Sequence, residues 1–308
     1  MNNNKLLITG VTGFLGAHAV EFLLADGYEV LAIKRRQSKL FRCTGFIDRV
    51  KWVDIEDEQL GQVIIDFKPN TFLHFAWNGV IAAERTDWEK QIGNIDFTFR
   101  LLELSQKAGI SKFICIGSQA EYGQFSGRIG EEAVCRPVCA YGSVKLATSY
   151  MVKTFCEQND IEWYWLRQFS VFGPKEEPIW VLSAAIVNLL QHNEMQLTGC
   201  EQRYDYIYVT DFARAISKVV KAQGQSGIYN LSSNQSVTLR GMLEQIREQI
   251  TPDMSLLKFG ALPYRPNQVM HMEGNSSKFY KTFGFKIESD LKSNIRDTIE
   301  YYKKQIAR

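Results

Sequence analysis

Gly10, Gly13 and Gly16 recur every third residue in the stretch Gly10-Val11-Thr12-Gly13-Phe14-Leu15-Gly16, between an apolar run at 5–9 and a helical pattern over 14–25. No other feature of the chain constrains its fold so strongly. In a strand–loop–helix unit, Gly10 permits the tight turn, Gly13 lets backbone approach a pyrophosphate, and Gly16 lets helix and sheet pack closely. The helix N-terminus then turns unpaired N–H groups and a partial positive charge toward phosphate. Three glycines alone carry little information, but their order after a strand and before a helix carries a good deal. Gly10, Thr12, Gly13, Phe14, Leu15 and Gly16 are therefore expected dinucleotide contacts.

The pattern that follows agrees. Strand-like segments at 28–34, 50–53, 71–76, 112–117 and 162–166 alternate with helical ones at 56–66, 87–108 and 141–157. Such alternation builds a parallel sheet with helices on both faces. After Gly173-Pro174 the pieces shorten: helices at 181–191, 211–221, 239–250 and 295–306, and strands at 205–209 and 228–231. The expected architecture is an α/β, Rossmann-type doubly wound parallel sheet over 1–173. A smaller α/β substrate lobe over 174–308 is interleaved with the end of that sheet.

The second strand bears on which dinucleotide binds. A strand selective for NAD usually ends in Asp or Glu, which accepts from the ribose 2′-hydroxyl. Here it ends in Lys34-Arg35-Arg36-Gln37-Ser38. Lys34, Arg35, Arg36 and Ser38 suit a 2′-phosphate, which arginine can hold bidentately, so NADPH is the expected cofactor. The other reading is a solvated basic loop. Asp54-Ile55 is placed to meet the adenine, and Phe75-Ala76 to line the groove.

Composition removes several classes of function. Lys plus Arg number 36 and Asp plus Glu 34, a net charge of +2, which gives no electrostatic reason to expect nucleic acid or a membrane surface. No run reaches the ~18 apolar residues of a membrane span. Six scattered cysteines read as reduced thiols of a cytoplasmic protein, and no Cys or His spacing suggests a metal.

Tyr141 and Lys145 stand four apart on the 141–157 helix, and so share a face. A free tyrosine, with a pKa of ~10, is a poor base at neutral pH, and a neighbouring ammonium lowers that pKa. Tyr141 can then pass a proton to or from a substrate oxygen, while Ser118, ending the fifth strand, donates a hydrogen bond to the same oxygen. By itself the spacing is weak, and an exposed helix pair would show it too.

Taken with His74-Phe75-Ala76, Asn94, the stretch 117–123, Leu166-Arg167, Phe172-Gly173-Pro174 and the stretch 203–211, the chain resembles the extended short-chain dehydrogenase/reductase family, nucleotide-sugar branch. The resemblance spans nearly the whole chain. It implies Ser118, Tyr141 and Lys145 as the catalytic trio, with Tyr141, Lys145, Asn94, Gln168 and Val171 also touching the cofactor. It implies a nucleotide-sugar substrate met by Trp77, Glu121, Phe169, Ser170 and Trp180, with Arg203 and Arg265 on its phosphates. It further implies a homodimer through the helices at 87–108 and 141–157, which carry Trp88, Ile92, Phe99 and Leu102, and Met151, Val152 and Phe155.

The departures from the family narrow the chemistry. The 4,6-dehydratases of the family are similar but carry Thr-Asp-Glu where this chain has Ser118-Gln119-Ala120, and Gln119 and Ala120 can serve as neither acid nor base. The 3,5-epimerase/reductases carry a cysteine where Ala120 stands. A family asparagine that meets substrate appears here as Ser170. The expectation is an NADPH-dependent oxidoreductase acting on the 4-keto group of a nucleotide-linked 4-keto-6-deoxyhexose, dTDP-linked first and CDP- or GDP-linked next, in the making of a surface polysaccharide such as O-antigen. The alternatives are a 4-epimerase holding NAD tightly and a silent dinucleotide-binding sensor or scaffold.

Overall fold

The computed structural model describes residues 4–265, 268–288 and 290–307. In chain order the first part runs β1 (Lys5–Thr9), α1 (Phe14–Ala25), β2 (Glu29–Lys34), β3 (Lys51–Asp54), α2 (Leu60–Phe67), β4 (Thr71–His74), α3 (Trp88–Lys107), β5 (Lys112–Ser118), β6 (Gly127–Ile129), α4 (Ala140–Gln158), β7 (Glu162–Gln168) and β8 (Ser170–Phe172). Then come α5 (Val181–Leu190), β9 (Met195–Gln196), β10 (Arg203–Tyr208), α6 (Val209–Lys221), β11 (Gly227–Leu231), β12 (Ser236–Thr238), α7 (Leu239–Ile250), β13 (Leu257–Lys258), β14 (His271–Gly274), α8 (Ser277–Phe283) and α9 (Leu291–Ile306).

The large sheet has the strand order β11-β7-β5-β4-β1-β2-β3, and every pairing in it is parallel. Its strands are near-continuous apolar runs, as a sheet covered on both faces requires. Successive side chains point to opposite faces. Leu6 and Ile8 of β1 accordingly enter one core with α1 and α6. Leu7 enters the other, with α2, α3 and α4. The strand order reverses between β1 and β4, and ligands of open α/β sheets bind at such a switch point, beyond the carboxyl ends of the strands. The expected Rossmann-type fold is therefore present.

A second sheet runs β12-β10-β14-β6, with β8 also paired to β10. Behind it α5, α7 and α9 bury Ile186, Leu189, Met242, Leu243, Ile295 and Ile299 in a core of their own. The chain crosses between the sheets repeatedly. β6 and β8 precede residue 173 yet lie in the second sheet, while β11 follows it and closes the edge of the first.

Two local differences from the sequence expectation have plain causes. The helix expected over 56–66 begins at Leu60 because Asp57 first turns the chain: its carboxylate accepts from the Gln59 N–H (2.8 Å) and its carbonyl from the Leu60 N–H (3.0 Å). The unforeseen α8 is held by aromatic packing, with Phe283 4.9 Å from the Tyr229 ring and 4.6 Å from Phe279. Among the described residues, no helix is long and apolar enough to cross a membrane.

Candidate active site

The glycine loop is built for close approach. Gly10 has φ +74°, and a Cβ there would lie 2.7 Å from the backbone nitrogen of Ala76; one on Gly16 would lie 2.2 Å from the Gly10 carbonyl oxygen. Loop, β4 end and α1 thus interlock only without side chains. Gly13 caps α1 with no side-chain bond and no acidic residue in the first turn, leaving the helix end to an anion. Thr12, Phe14 and Leu15 line the half-buried rim. Phe75, half-buried, packs on the core beneath. At the far end of the groove, the amide oxygen of Gln168 is buried without a hydrogen-bond partner and sits in register beside Ser118. Cradle and orphaned acceptor together fit a dinucleotide. Val171 and Ser170, both half-buried on β8, follow directly.

At the end of β2 the basic side chains have acidic neighbours. The C-terminal end of β2 carries no carboxylate, but the parallel register sets Lys34 opposite Asp54 of β3. Lys34 forms an ion pair with Asp54, and the Arg36 Nε lies 3.9 Å from the same carboxylate. Glu56 accepts from the Arg36 backbone N–H (3.2 Å). Lys34 is thus spent within the protein, whereas Arg35 and Arg36 are exposed and Ser38 half-buried. Ile55 continues the pairing by donating its N–H to the Lys34 carbonyl (2.7 Å).

Ser118, Tyr141 and Lys145 converge where β5 meets the first turn of α4, all buried. Burial raises the Tyr141 pKa, against the nearby Arg85 charge and the Ser118 hydrogen bond, which lower it. Lys145 does not point at the phenol. Its ammonium donates to the Ile116 carbonyl (2.7 Å) and lies 3.5 Å from the centroid of the Trp77 ring, against 6.0 Å from that of Tyr141. Burial brings Lys145 down to about 8, while Cys115 and Glu121 pull it upward. Trp77 is fixed in turn by its indole N–H, which donates to Gln91 (3.0 Å).

Three of the expected contact residues are engaged within the protein. Glu121 is fully buried behind the site: its carboxylate accepts from the Ser118 N–H (2.7 Å), the Trp165 indole (2.9 Å) and Arg167 (2.6 Å). It anchors Ser118. Phe169, between β7 and β8, is buried with Tyr122 and Met272. Asn94 uses its amide on the Asn78 backbone, accepting at 2.8 Å and donating at 3.1 Å. It shapes the turn after β4. In the second sheet region, Arg203 is exposed with Nη2 donating to the Ser236 carbonyl (2.6 Å). Arg265 is exposed on a loop near the Tyr204 phenol, and half-buried Trp180 caps α5.

Sequence reasoning missed two arginines. Arg85 lies with Cζ 4.8 Å from the Tyr141 ring centroid and 5.9 Å from that of Trp180. Arg42, largely buried, donates to the Thr12 carbonyl (3.4 Å), the Lys175 carbonyl (2.8 Å) and Glu177 (2.7 Å), tying the glycine loop to the segment after β8. Neither sits in a periodic pattern or motif that would have marked it. Among the described residues, no group of His, Cys, Asp or Glu is placed to hold a metal.

The chain is similar to several known proteins along almost its full length. It is 25% identical over 299 residues to CDP-abequose synthase of Salmonella muenchen, covering 96% of each chain. It is 23% identical to dTDP-D-glucose 4,6-dehydratase of Mus musculus, over 97% of this chain and 89% of that one. Its fold matches that of UDP-glucose 4-epimerase of Thermotoga maritima with a TM-score of 0.85 at 23% identity, covering 98% and 99% of the two chains. UDP-N-acetylglucosamine 4-epimerase of Methanobrevibacter ruminantium M1 matches at 0.88 and 22%, covering 99% and 100%. Residues 6–232 match the NAD dependent epimerase/dehydratase family. With that match over most of its length, the chain belongs to the NAD dependent epimerase/dehydratase family, in the extended branch of the short-chain dehydrogenase/reductases.

Proposed function

We propose that this enzyme reduces the 4-keto group of a nucleotide-linked 4-keto-6-deoxyhexose, using NADPH. The observation that carries the reading is the pairing of a buried, Ser118-bonded Tyr141 with Gln119 and Ala120 in the adjoining turn. A dehydration needs an acid and a base there; a ketone reduction needs one proton donor. The relative named for making CDP-abequose, matched over 96% of both chains, supports a nucleotide sugar and moves a CDP-linked substrate to the front, ahead of dTDP- and GDP-linked ones. Exposed Arg35 and Arg36 with Ser38 support the 2′-phosphate of NADPH.

The dinucleotide, when bound in the glycine cradle, supplies a hydride to the carbonyl carbon. Ser118 orients the carbonyl oxygen by donating a hydrogen bond, and Tyr141 delivers its phenolic proton to that oxygen as negative charge develops. Lys145, held by the Ile116 carbonyl and the Trp77 face, would meet the nicotinamide ribose and relay a proton from solvent back to the phenol. Arg203, Arg265 and Trp180 hold the nucleotide. The reaction takes place in the cytoplasm, consistent with six cysteines standing as free thiols, and serves deoxysugar formation for surface polysaccharide. The enzyme works as a homodimer through α3 and α4, where Trp88 (56%), Ile92 (53%), Phe99 (41%) and Tyr150 (62%) are exposed. Leu102 and Val152, by contrast, are fully buried core.

The test is NADPH oxidation against a panel of CDP-, dTDP- and GDP-4-keto-6-deoxyhexoses, with Tyr141→Phe alongside. One panel member is turned over, and Tyr141→Phe falls by about 10²–10⁴ while still binding NADPH. Turnover of no member, or a Tyr141→Phe enzyme above about a tenth of wild type, refutes the reading.

A further inference from the structure

We infer that Arg85 is a positioning residue for Tyr141: its guanidinium lies on the phenol ring and holds the proton donor in place and in charge balance. The inference rests on the reading of Tyr141 as proton donor. Two contacts with Tyr141 come from the one residue. The Arg85 carbonyl accepts the Tyr141 backbone N–H (2.9 Å), fastening the first turn of α4 to the segment before α3. Its side chain then folds back with Cζ 4.8 Å from the ring centroid, its Nε donating to the Val80 carbonyl (2.8 Å). The residue is half-buried, so its charge is less screened than at an open surface.

Lys145 lies farther from the phenol ring than Arg85 does. Its ammonium is 6.0 Å from the Tyr141 ring centroid and is committed to the Ile116 carbonyl and the Trp77 ring. The titratable and polar groups facing Tyr141 are Arg85 from the segment before α3, Lys145 from its own helix, Ser118 and Glu121 from the end of β5 and the turn after it, and Cys139 at the start of α4. Among them Arg85 is the cation that opposes burial in setting the phenol's acidity. Arg85 also lies 5.9 Å from the Trp180 ring, so the same guanidinium faces the residue that caps α5 across the cleft. A proton donor needs a held geometry and an acidity within reach of its task, and Arg85 serves both.

Charge and bulk separate by substitution. Arg85→Lys keeps the charge, and Arg85→Met keeps the aliphatic bulk without it. Two readouts decide. In turnover of the accepted keto sugar, Arg85→Met loses about three- to ten-fold in kcat with little change in the KM for NADPH, and Arg85→Lys recovers most of the loss. In a titration of [13Cζ]tyrosine-labelled protein, with Tyr141 assigned by its absence in Tyr141→Phe, the Tyr141 resonance ionises about one pH unit higher in Arg85→Met than in wild type. The titration needs no substrate, so it stands even if no keto sugar is turned over. If Tyr141→Phe stays active, it is the assignment of the donor that fails. If Tyr141→Phe is inactive yet Arg85→Met matches wild type, or performs as well as Arg85→Lys, Arg85 has no such role. A Tyr141 resonance that titrates at the same pH in both proteins, or in neither, also overturns the inference.

Discussion

Replacing Glu121 with glutamine keeps an oxygen for the Ser118 N–H and the Trp165 indole, and turns an NH2 group toward Arg167. In the native protein Glu121 and Arg167 form an ion pair at 2.6 Å, with side chains 0% and 3% exposed. Burial alone opposes the Arg167 charge, but Glu121 and Tyr122 more than offset it and hold the guanidinium above its ordinary value. Breaking such a pair from one side leaves a buried charge uncompensated, at about 3–5 kcal/mol. An unfolding entropy of about 2.1 cal/mol/K per residue over 308 residues is about 0.65 kcal/mol/K, so Tm falls by about 5–8 °C. Adding Arg167→Met removes the stranded charge and leaves a flexible apolar chain against Tyr122, recovering at least about 2 kcal/mol. Thermal and urea unfolding followed by circular dichroism measures all four corners of the cycle. A Glu121→Gln loss under about 1 kcal/mol, or a double variant as unstable as the sum of its singles, refutes the assignment of this pair as a coupled buried anchor behind Ser118.

Other consequences follow from the same geometry. Arg35→Asp with Arg36→Asp weakens NADPH binding far more than NADH binding in fluorescence titrations, and equal or tighter NADH binding by the wild type contradicts the 2′-phosphate reading. Lys145 has a folded pKa of about 8 against an ordinary 10.5, chiefly through burial. Its charge therefore costs stability fully below pH 8, and the cost fades as pH rises toward 10.5. Lys145→Met is accordingly more stable than wild type at pH 7, by up to about 3 kcal/mol, and the gap closes by pH 10.5; a gap independent of pH rules this out. Trp88→Glu with Ile92→Glu yields a monomer by light scattering at micromolar concentration, whereas a wild type already monomeric refutes the α3–α4 dimer.

Those parts of the fold that depend on local pattern were legible in the sequence. The strands of the large sheet read as apolar runs because they are covered on both faces, and α7 spans Leu239–Ile250, as its apolar spacing suggested. β6, β8, β12 and β14, of three or four residues each, gave no periodic signal, because their partners lie far away in the chain. The glycine loop was readable because its three glycines fall within seven residues, between a strand and a helix. The Lys34–Asp54 pair was not, since it depends on the register of β2 against β3. The inward turn of Glu121 was hidden for a related reason. This residue ends the tight turn Gln119–Glu121, where neighbouring side chains face different ways, and only the fold shows that Glu121 turns inward to Arg167. Arg85 sits in an irregular stretch whose conformation is fixed by the Gln91 amide, which donates to the Gly79 and Glu84 carbonyls.

The most direct test of ketone reduction follows the hydrogen itself. NADPH deuterated at the transferable C4 position is incubated with the accepted nucleotide-linked 4-keto-6-deoxyhexose, and the product is analysed by NMR and mass spectrometry. The expected result is one deuterium at C4 of the new alcohol and one NADP⁺ formed per sugar. A ketone left unreduced, together with inversion at C4 of the corresponding nucleotide-linked 4-hydroxy sugar without deuterium and with no net consumption of the dinucleotide, would instead make the enzyme an epimerase.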